Sequence, residues 1–528
     1  MQILLRCDGG GSLGVGHVMR SLALAEAAVE AGHDVVVAGS FEGSFLAAQL
    51  AAAPVEVVRI PPMAGGDLQP LIDLAGRLRP EVLHVDSYAA PDRLRETLAP
   101  AVGEAGPATM VVSNMEDGTF GRRPADVVVD PTFGAELSAR PEDGTTWLLR
   151  GSRYTPVRQR VIDARRPPEP VAKVAGSVLV VMGGTDPVGL VPRVVELLAR
   201  TGLAMEVTAI AVGENADRAR TAAQGSRLSL NVLAPVDDLA AMMSAHDLVI
   251  SAAGTSIWEL CCIAVPAAVV WVVDNQREGY DRVVAAGAAI GLGGPELGAG
   301  EHAVDLLKEA VMDPQVRTRL ARAGRQMVDG LGAWRVVRMW EQALAVRSLP
   351  LIEAAGLVAR PATLQDSRQL WQWRNDPATR AGSRSSAEVS WDDHRRWLTA
   401  SLARTDRVLL LVHDRTGPVG TVRWDLRSEG EWEVSITVSP QRRGQHLARP
   451  LLRSAEVALS EQTREAARPG AVRSGAARSG GSGVRAYLAV VHVDNEPSMR
   501  LFETSAYVPD LPPDQRGFMR FRKAARVT

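Results

Sequence analysis

The chain has 528 residues, 59 basic and 61 acidic, for a formal charge of −2. That length exceeds what one hydrophobic core organises and predicts three compact units. The near balance of charge excludes a dedicated nucleic-acid binder, which carries a basic excess.

The chain opens with an apolar run, Ile3, Leu4 and Leu5, that predicts a short buried strand. Leu22, Ala25, Ala28 and Val29 recur at helical spacing and predict a helix. Gly9, Gly10, Gly11, Gly14 and Gly16 lie between them. Strand, glycine loop and helix together open many α/β nucleotide-handling domains. Glycines admit a ligand close to the backbone, and a helix start offers free N–H groups and roughly half a positive charge. Asp8 ends the strand, and His17 and Arg20 stand where loop becomes helix. A carboxylate, an imidazole and a guanidinium thus meet at one mouth, suited to activating water beside a sugar nucleotide. The alternative is that His17 merely caps the helix. Gly14 and Gly16 are followed by His17, Val18 and Met19, so the third glycine of the dinucleotide fingerprint is missing.

Further strands are predicted over 35–37, 55–60, 81–86, 109–112 and 126–129, with helices over 47–52 and 68–78. Short β-branched strands alternating with helices mean a parallel sheet covered on both faces. Ligands of such sheets sit at the carboxyl ends of the strands, where Asp8, Asp86 and Asp130 fall. Each aspartate either faces a ligand or caps the next turn. Asn114, Glu116 and Asp117 follow the 109–112 strand. Cys7, Cys261 and Cys262 lie in apolar runs, so they read as small buried hydrophobes, without a disulfide framework, in a reducing cytoplasm; a nucleophile is the alternative for Cys7.

Pro167, Pro168 and Pro170 mark a linker, after which the pattern restarts. Strands are predicted over 177–182, 205–212, 228–233, 248–250 and 267–273. Helices are predicted over 190–198 and 239–244, around Trp258 to Leu260, and throughout 278–345. Two consecutive α/β units of similar size predict two Rossmann-like domains, over 1–165 and 170–346. In the second, Gly254, Thr255 and Ser256 offer backbone and hydroxyl donors at a helix start, suited to phosphate. Glu259, one turn inside, suits the hydroxyls of a ribose. Asn275 and Gln276 end the next strand at the same rim. Singly these residues also fit an N-cap and a helix-dipole glutamate; together they favour a ligand site.

These residues resemble the UDP-sugar hydrolases of pseudaminic acid biosynthesis, which release UDP from a UDP-diacetamido-trideoxy-hexose. The likeness is carried by Arg6-x-Asp8, by Gly14-x-Gly16-His17-Val18-Met19-Arg20 and by Gly151-x-Arg153-Tyr154. It continues in Gly183-Gly184-x-Asp186-Pro187, Ser251-x-x-Gly254-Thr255-Ser256-x-x-Glu259-Leu260, Val265-Pro266 and Asn275-Gln276. It implies a metal-independent enzyme of the two-domain GT-B fold. It makes His17 the base that activates water, and Asp8, Gly16, Arg20, Arg153, Gly254, Thr255, Ser256, Glu259, Asn275 and Gln276 the substrate contacts. The family usually has an Asp-Asp pair where this chain has Ser113-Asn114-Met115-Glu116-Asp117. Related GT-B glycosyltransferases share the motifs, so transfer of the sugar to an acceptor is the alternative.

A third unit is predicted over 357–526. Helices are expected over 364–375 and 394–402, and strands over 407–413, 419–426 and 432–438, antiparallel by hairpin logic. The last strand enters Ser439-Pro440-Gln441-Arg442-Arg443-Gly444-Gln445-His446-Leu447-Ala448 and then a helix over 449–461. A basic, glycine-containing loop before a helix is an anion cradle. The loop resembles the pyrophosphate loop of GNAT acetyltransferases, with His446 where glycine is expected. Asn495-Glu496-Pro497-Ser498 resembles the closing asparagine motif of that family. Arg360-x-Ala362-Thr363, Trp371-x-Trp373-Arg374-Asn375 and His394-x-x-Trp397-Leu398 resemble its amino-sugar branch. The resemblance implies an α+β acetyltransferase that holds acetyl-CoA through Val438, Arg443, Gly444, Gln445, His446, Leu447, Ala448, Asn495 and Ser498. The tyrosine that serves as acid in many GNATs falls on Phe502, and Tyr507 reads as core. Trp371 and Trp373 either pack a helix or serve the acceptor. Residues 463–483, rich in Arg, Ala, Gly and Ser, predict a disordered surface loop.

The chain is expected to be a cytoplasmic, bifunctional α/β enzyme acting on a UDP-amino sugar and on acetyl-CoA, with no metal and no nucleic-acid partner. A silent CoA-binding module in place of the acetyltransferase is the alternative for its last third. No apolar run approaches the ~20 residues that a bilayer demands, and the N-terminus lacks the pattern of a signal peptide.

Overall fold

The computed structural model describes residues 1–63, 67–92, 94–98, 110–141, 143–166, 172–183, 186, 188–297, 300–347, 356–383, 385–428, 430–467 and 483–525. Residues 167–170 of the proline linker, Gly184, Thr185, Pro187, the first residue of the strand expected over 109–112 and most of 463–483 lie outside that set. The chain divides into two compact units, Met1–Ser138 with Asp143–Val337, and Ala139–Glu142 with Arg338–Thr528.

The first unit holds two parallel sheets. One contains β1 (Gln2–Cys7), β2 (Asp34–Gly39), β3 (Glu56–Arg59), β4 (Val82–Asp86), β5 (Val111–Met115), β6 (Val127–Asp130) and β7 (Trp147–Arg150), in the order β3-β2-β1-β4-β5-β6-β7. The other contains β8 (Ser177–Val181), β9 (Met205–Ile210), β10 (Leu228–Leu233), β11 (Leu248–Ala252), β12 (Ala267–Val270) and β13 (Ile290–Gly291), in the order β10-β9-β8-β11-β12-β13. Each sheet reverses direction between its first and fourth strands, which are paired neighbours. That reversal is the switch point at which doubly wound sheets bind ligands. Strands such as β1 and β4 are buried along nearly their whole length, the pattern of a sheet with helices on both faces.

The first connection turns sharply at Gly10, whose φ is +103° and where a Cβ would stand 2.5 Å from the Glu42 carbonyl oxygen. Helix Gly16–Glu30 follows and buries Val18, Leu22, Leu24, Ala25 and Ala28. The expectation of unbroken helices over 278–345 is corrected by β13, which pairs with β12 between Arg277–Ala285 and Glu301–Met312. Two residues are too few to show a period. Helix Gly213–Ala223 is also additional to the expected elements; it buries only Ala216 and Ala219, so it offers almost no apolar stripe.

The second unit contains β14 (Val358–Pro361), β15 (Arg407–Asp414), β16 (Gly417–Ser428), β17 (Glu431–Val438), β18 (Ala486–His492), β19 (Val508–Leu511) and β20 (Phe518–Ala524). They form one sheet in the order β14-β15-β16-β17-β18-β20-β19. Every pairing is antiparallel except that of β17 with β18, which is parallel and confined to Glu431, Trp432 and Glu433. Past Glu433 and Leu488 the two central strands part. Helix Ala448–Ala467 packs Leu451, Leu452, Ala455 and Leu459 against Trp424, Trp432 and Phe521. Tyr507 is fully buried in the same core, and Trp373 packs with Leu370 and Leu398. Among the described residues no helix is long and apolar enough to cross a membrane.

Candidate functional site

A pocket of about 490 Å³ opens at the carboxyl ends of β1 and β4, lined by Asp8, Leu13, His17, Pro62, Met63, Asp86, Ser87, Tyr88 and Ala89. His17, in the first turn of helix Gly16–Glu30, is largely buried, and its Nδ1 lies 2.6 Å from Asp86 Oδ1. Burial would raise the Asp86 carboxyl, but Arg20 and His17 hold it well below the usual carboxylate range. Asp86 is therefore an acceptor aimed at Nδ1, and the Arg20 Nη2 lies 3.1 Å from the same nitrogen. No side-chain hydrogen bond caps the helix at its start, so His17 is not its cap.

Arg20 does not reach out of this network. Its Nε and Nη2 donate to Asp86 at 2.5 and 2.7 Å, and its Nη1 donates to Asp117 at 2.6 Å. Burial opposes its charge, yet Asp117 and Asp86 outweigh it and raise its pKa further. Tyr88 donates its hydroxyl to Asp117 and sets its ring edge-on to His17, 4.6 Å between centroids. Sequence reasoning placed Asp86 and Asp117 beside the mouth without assigning them to the site, and it passed over Tyr88. The Asp86-Ser87-Tyr88 run at a strand end is the signal that marks Asp86 and Tyr88. Asn114, by contrast, turns to Arg123 at 2.7 Å.

Asp8 lines the pocket, but both its oxygens are occupied. Arg6 donates to them at 2.6 and 3.0 Å and the Ser40 N–H at 2.8 Å. It braces the strand ends. Asp130 accepts from the Gly118 and Thr132 N–H groups at 3.2 Å, as a turn-capping aspartate does, and burial pushes its carboxyl up to about 6. Burial pushes the Cys7 thiol up to about 12, so it offers no thiolate nucleophile. Arg153 does not line the pocket: its guanidinium lies 6.0 Å from the Tyr154 ring and its carbonyl accepts from Arg335.

The second domain brings its own turn to this edge. A Cβ on Gly16 would stand 3.1 Å from Thr255 Cγ2, so the backbone beside His17 abuts the turn after β11. Helix Ser256–Ile263 begins there, and Thr255 makes no side-chain cap hydrogen bond to it. The Thr255 hydroxyl is thus not spent on its own helix. A Cβ on Gly254 would meet Gln276 Nε2 at 3.4 Å, and Gln276 Oε1 accepts from the Val272 N–H at 2.9 Å. Gly254, Thr255, Ser256 and Gln276 therefore share one rim; the Asn275 side chain lies outside the described residues. Glu259 sits one turn in, and burial pushes its carboxyl up to about 7 against the pull of Arg160 and Arg158.

In the second unit, Val438 ends β17, Pro440–Arg442 forms a 3-10 turn and the long helix starts at Ala448. Gly444 and His446 both have left-handed φ, +76° and +56°. His446 thus adopts the backbone that its glycine counterpart would adopt freely, at a cost of about 1–2 kcal/mol. The loop and the helix start behind it offer backbone amides to an anion, beyond the point where β17 and β18 part. Gln445 accepts from Arg442 Nε at 2.9 Å, and Leu447 accepts from the Leu451 N–H. Arg443 pairs with Asp376, and Asn495 caps helix Glu496–Thr504 by accepting from the Ser498 N–H at 3.2 Å. Phe502 is buried against Tyr507 and Phe521, with no group to donate a proton. Trp371 donates to the Val389 carbonyl at 2.8 Å.

Residues 178–325 match the glycosyltransferase family 28 C-terminal domain, and residues 357–507 match the acetyltransferase (GNAT) domain. An uncharacterised protein of Methanocaldococcus jannaschii, MJ1062, is 20% identical over 450 residues, which cover 83% of this chain and 86% of that protein. The spore coat polysaccharide biosynthesis protein SpsG of Bacillus subtilis is 26% identical over 215 residues, 40% of this chain and 63% of that protein. The UDP-N-acetylglucosamine–N-acetylmuramyl-(pentapeptide) pyrophosphoryl-undecaprenol N-acetylglucosamine transferase of Alkalilimnicola ehrlichii is 28% identical over 358 residues, 63% of this chain and 95% of that enzyme. The chain is thus a bifunctional, sugar-nucleotide-related protein: two Rossmann-type domains of the GT-B kind followed by a GNAT-fold acetyltransferase domain.

Proposed function

With a glycosyltransferase-type pair of domains and an acetyltransferase domain on one chain, we propose that its first unit hydrolyses a UDP-diacetamido-trideoxy-hexose to UDP and free sugar. The second unit N-acetylates an amino-sugar nucleotide with acetyl-CoA, both steps belonging to the formation of a nonulosonic acid of the pseudaminic type. The observation that carries the first activity is the His17–Asp86 pair, 2.6 Å apart, at a pocket, with Thr255 against the neighbouring Gly16.

His17 Nε2 takes a proton from water as the water oxygen bonds to the anomeric carbon. The bond from that carbon to the UDP oxygen breaks, and its electron pair leaves with the diphosphate. Asp86 holds the Nδ1 proton and steadies the imidazolium. Gly254, Thr255 and Ser256 at a helix start take up the departing charge, and Glu259 receives the ribose hydroxyls. No metal enters the proposal.

In the second unit the amine nitrogen of the sugar bonds to the thioester carbonyl carbon. The carbon–sulfur bond breaks, and the proton lost by the amine ends on the departing sulfur. Val438 and the loop from Arg443 to Ala448 hold acetyl-CoA, with Asn495 and Ser498 beside them. Phe502 removes the usual hydroxyl acid, so water carries that proton.

The match to a glycosyltransferase C-terminal domain favours one second reading, transfer of the sugar to an acceptor. UDP release from UDP-amino sugars with and without an acceptor, followed by mass spectrometry, separates the two. Hydrolysis without acceptor supports the proposal; UDP release that demands an acceptor overturns it. Consumption of acetyl-CoA by the full chain distinguishes an acetyltransferase from a silent CoA-binding module.

A further inference from the structure

Arg443 follows β17 and Asn495 follows β18, so they stand at the ends of the two strands that part. Both side chains are held by one short segment. Arg443 Nη2 lies 2.6 Å from Asp376 Oδ2 and donates to Thr379 Oγ1 at 2.6 Å. Asn495 Nδ2 donates to the Gly382 carbonyl at 3.4 Å. Asp376 caps helix Pro377–Ala381, accepting from the Thr379 N–H at 2.9 Å, and Gly382 closes it. Five residues of helix thus run from the partner of one strand end to the partner of the other.

We propose that residues 376–382 form a strap that occupies Arg443 and Asn495 and is displaced when acetyl-CoA binds. This rests on the acetyltransferase reading of the second unit. The CoA diphosphate brings more charge than one carboxylate and matches the guanidinium fork. It also brings like charge against Asp376, and that repulsion is several-fold stronger near a protein surface than in water. Arg443 exchanges its carboxylate for the phosphate, and Asp376 is driven off. The strap joins helix Ser367–Asn375 to helix Trp391–Ala403, so acetyl-CoA frees the connection between these two helices before the acceptor enters.

The test is calorimetric titration of CoA into the full chain as wild type, Asp376→Asn, Arg443→Gln and the double variant. Asparagine retains the helix cap while removing the charge. Asp376→Asn is expected to tighten CoA roughly three- to tenfold, Arg443→Gln to weaken it, and the double variant to show no tightening over Arg443→Gln alone. Hydrogen exchange of the amides over 378–383 is expected to quicken at saturating CoA. Unchanged or weaker binding by Asp376→Asn overturns the strap, as does unchanged exchange. A wild type that binds no CoA overturns the acetyltransferase reading itself, a distinct outcome that takes the strap with it.

Discussion

His17 and Asp86 stand 69 positions apart in sequence and meet at 2.6 Å through Nδ1 and Oδ1. The same carboxylate accepts two hydrogen bonds from Arg20. One buried anion therefore faces the imidazole and neutralises the guanidinium beside it.

His17→Ala is expected to lower UDP release by roughly 10²–10⁴ while leaving UDP affinity within a few-fold of wild type. Coupled detection of UDP with parallel calorimetry reads both. Near-full turnover by that variant would refute a role as base.

Asp86→Asn leaves the shape but removes the charge that Arg20 and His17 share. Breaking one partner of a buried ion pair costs roughly 3–5 kcal/mol. The variant should lose hydrolysis and melt earlier, and acetyl transfer by the second unit should persist at temperatures below that melt. Scanning calorimetry and the two activity assays decide it.

Glu259 ionises at about 7 in the folded chain, against 4.5 for an ordinary glutamate. Between those values the folded state binds more protons than the unfolded one. Stability contributed by this group is complete below 4.5 and falls as pH rises through about 7. Glu259→Gln removes that slope, so the variant should gain on wild type as pH rises across the window. Thermal unfolding in a pH series measures it. The same variant should bind uridine roughly tenfold more weakly, through loss of charge-assisted hydrogen bonds.

His446→Gly should stabilise the second unit by roughly 0.5–1 kcal/mol, the relief of a left-handed φ less the entropy of glycine. A melting temperature at or below that of wild type would show that the imidazole contributes contacts worth more than the strain.

Phe502→Tyr should not speed acetyl transfer. Its ring is enclosed by Tyr507 and Phe521, so a new hydroxyl is buried without a partner at a cost of roughly 1–3 kcal/mol. Acetyl-CoA turnover and a melt together test this; a faster variant would place the hydroxyl at the thioester.

The alternating sheets of the first unit were legible because their strands are short apolar runs between helix-period segments. The mouth at His17 was legible because glycines, a histidine and a strand-end aspartate crowd into a few positions. The partnerships were not. Arg20 meets Asp117 across 97 positions, and nothing local to either reveals it. Asp8 ends a strand at the right edge and lines the pocket, but its pairing with Arg6 two residues earlier, which donates to both its oxygens, was not readable. The same holds for Arg443 and Asn495, whose loop positions were readable and whose bonds to 376–382 were not. Helix Gly213–Ala223 escaped because it buries so little apolar surface.

Gly16 has one more bearing on the whole. Its missing methyl is the clearance between the two sheets' loops, since a Cβ there would press on Thr255 at 3.1 Å. The distance from the imidazole to the turn at Thr255 is thus set by the smallest side chain available. Any larger residue would act as a shim, pressing the helix that carries His17 and the turn that carries Thr255 apart by a few tenths of an ångström unless the Thr255 side chain gives way.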